Sequence, residues 1–314
     1  MVFRPLRQRN EVHEADSRAN GALCAFLLVS LKEQWRDYRK KFKRCQKEAS
    51  EEIVHQFRIA SRRMLSILNL LEGLISKKRL QTAQDDLTKR LKCLGRLRDT
   101  HTQLSYVRKL RHNFPEARSY YKTLEKRACR LTRRVGRKLP HLKTGRLGES
   151  IGAIKRQLRC LRSEDKKEKV FELALQTLQR AYAKVVDCYR AIELADTRTI
   201  HTTRVAFKRF RYMVEALQPM LRGVTADRLE SLHDYQTRMG DIQDLEVLLS
   251  SIDKLRKKQE LTGKGWKRFR AELIRRRAVL VHRFVASSDE LFEFDPVIYL
   301  RRRAKRGVAN ANNL

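Results

Sequence analysis

The sequence is poor in the two residues that most often mark turns. Its 314 residues include only 12 glycines and 5 prolines, whereas average usage is about 7% and about 5%. Few turn signals leave long uninterrupted segments, which favours long helices. Because 41% of the residues are apolar, the chain can also fill a core of ordinary size. The sequence therefore predicts an all-α protein.

Clustered cysteines and an export signal are also missing. The six cysteines lie far apart, without a C-x-x-C pair or a Cys/His cluster of zinc spacing. We therefore expect buried thiols in a reducing compartment and no metal site. The one candidate targeting segment, 21–31, is too short to span a bilayer and follows acidic residues, unlike a signal peptide. These absences favour a soluble, cytoplasmic protein.

Carboxylates are scarce relative to basic residues. The 72 lysines and arginines outnumber the 36 aspartates and glutamates, which gives a formal net charge of +36. Repulsion of that size opposes a compact fold unless an anion offsets it, and solubility alone needs a much smaller imbalance. We therefore expect a polyanionic partner.

One basic motif occurs twice in the chain. The stretch H55-Q-F-R-I-A-S-R-R63 returns as H201-T-T-R-V-A-F-K-R209, at an offset of 146 residues (201 − 55 = 146). Farther along, L94-G-R-L-R-D99 corresponds to M239-G-D-I-Q-D244 at an offset of 145 (244 − 99 = 145). A duplication with a one-residue slip explains both offsets.

The duplication predicts two helical halves. We expect an N-terminal arm over 1–16, a first repeat over 17–140, a linker or short helix over 141–165, a second repeat over 166–295 and a basic, disordered tail over 296–314. The apolar periodicity predicts five helices in each half. They are 17–42, 51–74, 80–94, 99–112 and 116–138, followed by 167–194, 199–221, 226–239, 244–259 and 266–286.

Each motif helix carries a basic face opposite an apolar one. No acidic residue occurs between positions 55 and 71 or between 201 and 214, although a solvated face normally intersperses carboxylates at i+4. A solvated face is the alternative, but the repeated order favours an anion site. Beside cations, a histidine suits phosphate better than a metal. The candidate anion-binding residues are His55, Arg58, Arg62, Arg63, His201, Arg204, Lys208, Arg209, Arg211 and Tyr212.

The second repeated motif predicts a turn. Gly95 and Gly240 stand where a helix C-terminus favours a left-handed residue. Asp99 and Asp244 stand where the next helix needs an N-cap acceptor. Either aspartate can also hold a motif arginine in position, and the sequence does not exclude both roles.

Together the two motifs resemble the CHAD family, the conserved histidine α-helical domain. The likeness rests on H-x-x-R-x-x-x-[RK]-R followed by L-G-x-x-R-D, each in two copies, over about residues 17–286. It implies two four-helix bundles related by pseudo-two-fold symmetry, with a basic central groove or pore that binds inorganic polyphosphate, and association with polyphosphate granules. Three positions depart from the pattern. Leu65 stands where the second copy has Arg211, Met239 replaces a leucine, and Gln243 replaces an arginine.

No catalytic motif accompanies these residues. The chain lacks the E-x-E-x-K strand motif of a triphosphate-hydrolysing tunnel domain, a Walker loop and a G-x-S-x-G elbow. We expect a binding protein without enzymatic activity, cofactor, bound metal or membrane partner. Nonspecific nucleic-acid binding is the main alternative, opposed by an aromatic content of 7% and by a single motif aromatic, Tyr212, for stacking on bases. A granule coat or scaffold is a further alternative.

Overall fold

The computed structural model describes residues 6–161, 168–221, 223–257 and 263–300, and these residues are almost entirely helical. No strand occurs within these ranges, so the prediction of an all-α fold is confirmed. None of the helices described has the length and apolar character of a membrane span. The helices are α1 (Leu6–Lys47), α2 (Glu51–Leu70), α3 (Lys77–Leu110), α4 (Pro115–Lys138), α5 (Gly145–Cys160), α6 (Glu168–Arg190), α7 (Thr197–Leu217), α8 (Ala226–Lys257), α9 (Lys264–Ala286) and α10 (Pro296–Leu300), with 3₁₀ segments at Leu139–His141, Gln218–Met220 and Ser288–Phe294.

Local sequence fixes one end of each motif helix, α2 and α7. At the start of α7 the Asp196 carboxylate accepts a hydrogen bond of 3.0 Å from the Arg198 backbone N–H, which caps the helix. The predicted helix over 51–74 ends earlier, at Leu70. Gly73 has a φ of 90°, and this left-handed conformation turns the backbone away from the helix at little steric cost.

Helices α3 and α8 are continuous, so the turn predicted from the second motif is wrong. Gly95 and Gly240 lie inside these helices without a positive φ, and Asp99 and Asp244 lie inside them rather than at an N-terminus. Both helices bury apolar residues on either side of the glycine, in two different hydrophobic clusters. Packing along the whole helix outweighs a mid-helix glycine, which costs only about 1 kcal/mol.

The segment that joins the two sequence halves is part of the core. Within the expected linker over 141–165, helix α5 packs against α1 and α3. Its buried residues recur at helical spacing, as in an amphipathic helix; they are Leu147, Ile151, Ile154 and Leu158. Of the two alternatives for this segment, the short helix is the one observed.

The hydrophobic core does not divide at the joint between the halves. A larger cluster joins α1, α2, α5, α6 and α7 with the N-terminal parts of α3 and α8. A smaller cluster joins the C-terminal parts of α3 and α8 with the N-terminal parts of α4 and α9. In addition, α1 packs on α6, α2 on α7, α3 on α8 and α4 on α9. Each of these helices therefore contacts its counterpart in the other half, while the pseudo-two-fold relation between two bundles stays a prediction.

Three further features differ from the sequence-based expectations. Helix α1 begins at Leu6, inside the expected arm over 1–16. Residues 296–300 of the expected disordered tail form α10, and 301–314 lie outside the described residues. Cys129 and Cys160 are exposed, although we expected buried thiols. The expectation was wrong because single scattered cysteines do not indicate the helix face on which they lie.

Candidate anion-binding site

Helices α2 and α7 pack directly against each other, which brings the two basic faces together. The apolar faces point into the larger cluster, where Phe57 and Met64 of α2 and Phe207 and Phe210 of α7 are fully buried. The basic residues are left close enough across the α2–α7 contact to shift one another's pKa. Burial of the apolar faces therefore places basic residues of α2 and α7 close to one another.

Four cations of the two motifs form what we term the motif cluster: Arg58, Arg62, Arg204 and Lys208. Arg62 and Lys208 are equivalent positions of the two copies (208 − 62 = 146). Burial, followed by the charges of Arg62, Arg204 and Arg58, lowers the pKa of Lys208 to about 6. Burial and the charge of Arg62 likewise lower the pKa of Arg58 to about 10. Lys208 is consequently mostly neutral at pH 7 in the free protein, since a fourth charge in this place is unfavourable.

Each copy also places its first motif arginine beside the aspartate of the second motif. Arg58 interacts electrostatically with Asp99, and Arg204 with Asp244. Burial raises the pKa of both carboxyls, although the neighbouring arginine acts in the opposite direction. Arg58 Nη1 also donates to the Leu91 carbonyl at 2.9 Å, whereas the buried Nε of Arg204 has no hydrogen-bond partner among the described residues. The aspartates therefore lie where they can position the motif arginines.

His55 and His201 flank the motif cluster. Burial lowers the pKa of both imidazoles, followed by the charge of Arg98 for His55 and of Arg204 for His201. A side-chain hydrogen bond between His201 and Gln243 raises the pKa of His201 and so opposes these two effects. Within the described part of the chain, the buried Nδ1 of His201 has no partner. Both rings are therefore mostly neutral near pH 7, and each can take up a proton when an anion approaches.

Two of the predicted site residues form ion pairs with glutamates. The Arg209 guanidinium donates to both carboxylate oxygens of Glu72 at 2.8 Å, and this ion pair joins the two halves of the chain. Arg211 is buried, donates to Gln236 at 2.9 Å and forms an ion pair with Glu215. Its guanidinium is thus committed to contacts within the second half, so the missing equivalent at Leu65 leaves no gap in the motif cluster.

The remaining predicted residues, Arg63 and Tyr212, lie beside two cavities. The Arg211 guanidinium carbon lies 4.5 Å from the centroid of the Tyr212 ring. The Tyr212 side chain also forms a hydrogen bond with Arg62. A cavity of about 600 Å³ opens beside the motif cluster, and its charged or phenolic lining residues are Arg62, Lys208, Arg209, Tyr212, Glu72 and Asp85. Arg63 is exposed and lines a different cavity of about 490 Å³, which shares Tyr212 with the first. Arg63 therefore does not line the cavity beside the motif cluster.

Three residues outside the predicted set act on this site: Arg98, Gln243 and Glu72. Arg98 lowers the pKa of both His55 and Arg58, and Gln243, its equivalent (243 − 98 = 145), contacts the second motif histidine. The repeated L-G-x-x-R-D pattern contains both positions, but its interpretation as a turn assigns neither residue a role at the site. Glu72 lies outside both motifs, and no sequence pattern indicates its ion pair.

The fold and the site together define an all-α protein in which two helices of matching sequence enclose a cluster of cations. The chain belongs to the CHAD domain family, whose model matches residues 29–253. The crystal structure of the CHAD domain from the plant Ricinus communis is similar, with a TM-score of 0.65, 19% identity and coverage of 86% of this chain and 91% of that chain. PptA from Streptomyces chartreusis is also similar, with a TM-score of 0.57, 13% identity and coverage of 86% and 99%. At these identities the two structures show the shared fold. The comparison with curated proteins gave no match.

Proposed function

We propose that this CHAD protein binds inorganic polyphosphate, without catalysing a reaction on it, through the motif cluster between α2 and α7. The observation that carries the proposal is the convergence of three arginines and Lys208, whose pKa falls to about 6 because the lysine is buried and its neighbours are cations. An anion in contact with this cluster would offset the mutual repulsion and restore the charge of Lys208. His55 and His201 would add protonated donors at its edges.

The chemistry of polyphosphate matches the cluster. Its chain carries many negative charges and acceptor oxygens, and arginine guanidinium groups bind such oxygens through strong charge-assisted hydrogen bonds. Membership of the CHAD family supports the same ligand, and association with polyphosphate granules belongs to this proposal. A neutral lysine has the character of a general base. Because a bound phosphate chain would raise the pKa of Lys208, the lysine would take up a proton from solvent and act as a hydrogen-bond donor, in keeping with binding rather than catalysis.

Charge reversal within each motif tests where polyphosphate binds. Arg58→Glu and Arg204→Glu should each weaken binding of long-chain polyphosphate by more than about tenfold, because a charge-assisted hydrogen bond contributes roughly 1.5 to 3 kcal/mol and the new carboxylate adds repulsion. The measurement is calorimetric titration at near-physiological salt, with chains of several lengths and with helical content checked by circular dichroism.

The control is the double variant Arg302→Glu with Arg303→Glu, which changes the net charge by twice as much outside the described residues. Binding by the motif cluster predicts nearly normal affinity for this variant. If it binds more weakly than Arg58→Glu or Arg204→Glu, net charge governs the interaction and the proposed site is wrong.

Nucleic acid is distinguished by competition and by salt. Affinity for polyphosphate should fall linearly in log K against log salt, since several cations displace counterions. Binding should also persist in excess duplex DNA or single-stranded RNA. Displacement of polyphosphate by either nucleic acid at equal charge concentration would favour the nucleic-acid alternative, and a salt-independent affinity would contradict an ionic site altogether.

A further inference from the structure

A second basic cavity lies away from the motif helices, between the C-terminal part of α1 and the segment that leads into α5. Its volume is about 740 Å³. Four of its lining residues are cations from α1 and a fifth comes from the facing segment; they are Arg36, Arg39, Lys40, Lys43 and Lys143. None of these residues belongs to either repeated motif.

The α1 cations form a continuous ladder along one side of the cavity. Arg36, Lys40 and Lys43 follow the i, i+4, i+7 spacing of a helix face, which spans about 10 Å at 1.5 Å per residue. The cavity lining contains no carboxylate, and Asp37 of the same helix pairs instead with Lys41 at 2.9 Å. Within the described part of the chain, the five lining cations form no ion pair. All five side chains are exposed, so only solvent and salt screen their mutual repulsion, and a multivalent anion would offset it further.

The wall that faces the ladder is fixed by buried polar contacts. The guanidinium of Arg90, only 4% exposed, donates to the carbonyls of Leu142 at 3.3 Å and Lys143 at 2.8 Å. The same group lies 4.8 Å from the Phe42 ring centroid, and Phe42 and Leu142 line the cavity. These two hydrogen bonds partly satisfy a guanidinium that is costly to bury unpaired, and they hold residues 142 and 143 against α3.

Two further features extend the positive potential of the cavity. Helix α5 starts at its edge, where Thr144 and Gly145 line the cavity and the Thr144 side chain makes no capping bond, so free backbone N–H groups add to the field. Along the α1–α5 contact, burial followed by the charges of Lys32 and Arg39 lowers the pKa of Lys155. Lys32 and Lys155 therefore add positive charge along the α1–α5 contact, beside Arg39.

From the cavity, the cation ladder and the fixed facing wall, we propose a second anion site that binds a compact ligand with several linked phosphoryl groups, such as linear tripolyphosphate. A single phosphate would meet only part of a ladder that spans about 10 Å, and an uncharged ligand would leave the repulsion in place. This proposal shares no residue with the motif cluster and does not depend on the function proposed for it.

Calorimetric titration with tripolyphosphate at near-physiological salt tests the second site. The variants are made in an Arg58→Glu background, so that the weakened motif cluster contributes less to the binding that is measured. Lys43→Glu should weaken that binding at least about tenfold, because it removes one charge-assisted contact and adds repulsion. The matched control is Arg44→Glu, which makes the same charge change on the adjacent exposed residue outside the cavity lining.

The comparison separates the possible outcomes. A loss in Lys43→Glu with a change below about threefold in Arg44→Glu supports the second site, whatever the motif cluster does with long polyphosphate. Equal losses in the two variants, with normal helical content, would show a nonspecific effect of charge and overturn the proposal. Absence of tripolyphosphate binding to the Arg58→Glu protein would overturn it too, and would leave the proposed function intact if long chains still bind the unaltered protein.

Discussion

The number of protons taken up on polyphosphate binding tests the proposed function, because Lys208 should change its protonation state. Its pKa of about 6 in the free protein arises from burial and from the cations around it. A phosphate chain bound against the motif cluster would reverse the second cause, and the lysine would become charged. Binding near neutral pH should therefore take up a proton at Lys208, and affinity should fall as the pH rises above 6.

The magnitude follows from the two protonation states. If the free lysine has a pKa of about 6 and the bound lysine stays charged, affinity should drop roughly 50-fold between pH 6 and pH 8, or about 2 kcal/mol. At pH 8 the reaction should take up about one proton at this residue. His55 and His201, whose pKa values are lowered in the free protein, change affinity in the same direction.

The assay is calorimetric titration with polyphosphate in buffers of different ionisation enthalpy, which counts the protons taken up on binding. Lys208→Met removes the titrating group, and Lys208→Arg keeps a positive charge that does not titrate. Both variants should take up about one proton fewer than the unaltered protein at pH 8, and the arginine variant should bind more tightly than the methionine variant. Lys184→Met, at an exposed position on α6, is the control and should leave proton uptake unchanged.

Equal proton uptake by the unaltered protein and by both Lys208 variants at pH 8 would refute the reasoning. It would mean either that Lys208 is already charged in the free protein or that the anion does not reach it. A drop in uptake for Lys184→Met would instead point to a general effect of net charge.

Three further outcomes follow from the structure. The folded-state pKa of Lys208 lies below its unfolded value, so without polyphosphate the protein should lose stability as pH falls from about 10 to 6, and Lys208→Met should raise the unfolding temperature at pH 7. Gly95→Ala and Gly240→Ala should each raise the unfolding free energy by about 0.5 to 1 kcal/mol in denaturant titrations. The reason is that a Cβ on Gly95 meets nothing within 4 Å and one on Gly240 meets an arginine at an ordinary 3.5 Å. Destabilisation by either substitution would favour the turn predicted from the sequence over a continuous helix. Glu72→Gln should free Arg209 and strengthen polyphosphate binding several-fold by titration, with a stability change below about 1 kcal/mol because the pair is exposed; weaker binding would count against Arg209 as a ligand group.

Sequence patterns predicted the secondary structure of the motif helices well. The apolar period places Met64 and Phe210 in the core, and the same period leaves Arg58 and Arg204 on the polar arc, because a helix has only one face to bury. The all-α class follows from the scarcity of glycine and proline for a related reason, since few residues interrupt the helices. These properties depend on residues near each other in the chain, and the sequence alone determined them.

The second motif shows where local patterns fail. Gly95 and Gly240 carry a local preference for a helix end, yet each lies in a helix whose two parts pack into different hydrophobic clusters. The free energy of that packing comes from residues distant in sequence and exceeds the cost of one glycine. The continuity of α3 and α8 was therefore decided by tertiary contacts.

The site itself was likewise decided only by the tertiary structure. The repeated motifs identify which cations to consider, but the partners that engage them come from elsewhere in the chain: Glu72 pairs with Arg209, and Gln236 binds Arg211. The neutral state of Lys208 has the same origin, because it requires the cations of α2 and burial between two packed helices. Charge interactions depend on distance in space and on the surrounding dielectric, and a linear sequence specifies neither until the chain has folded.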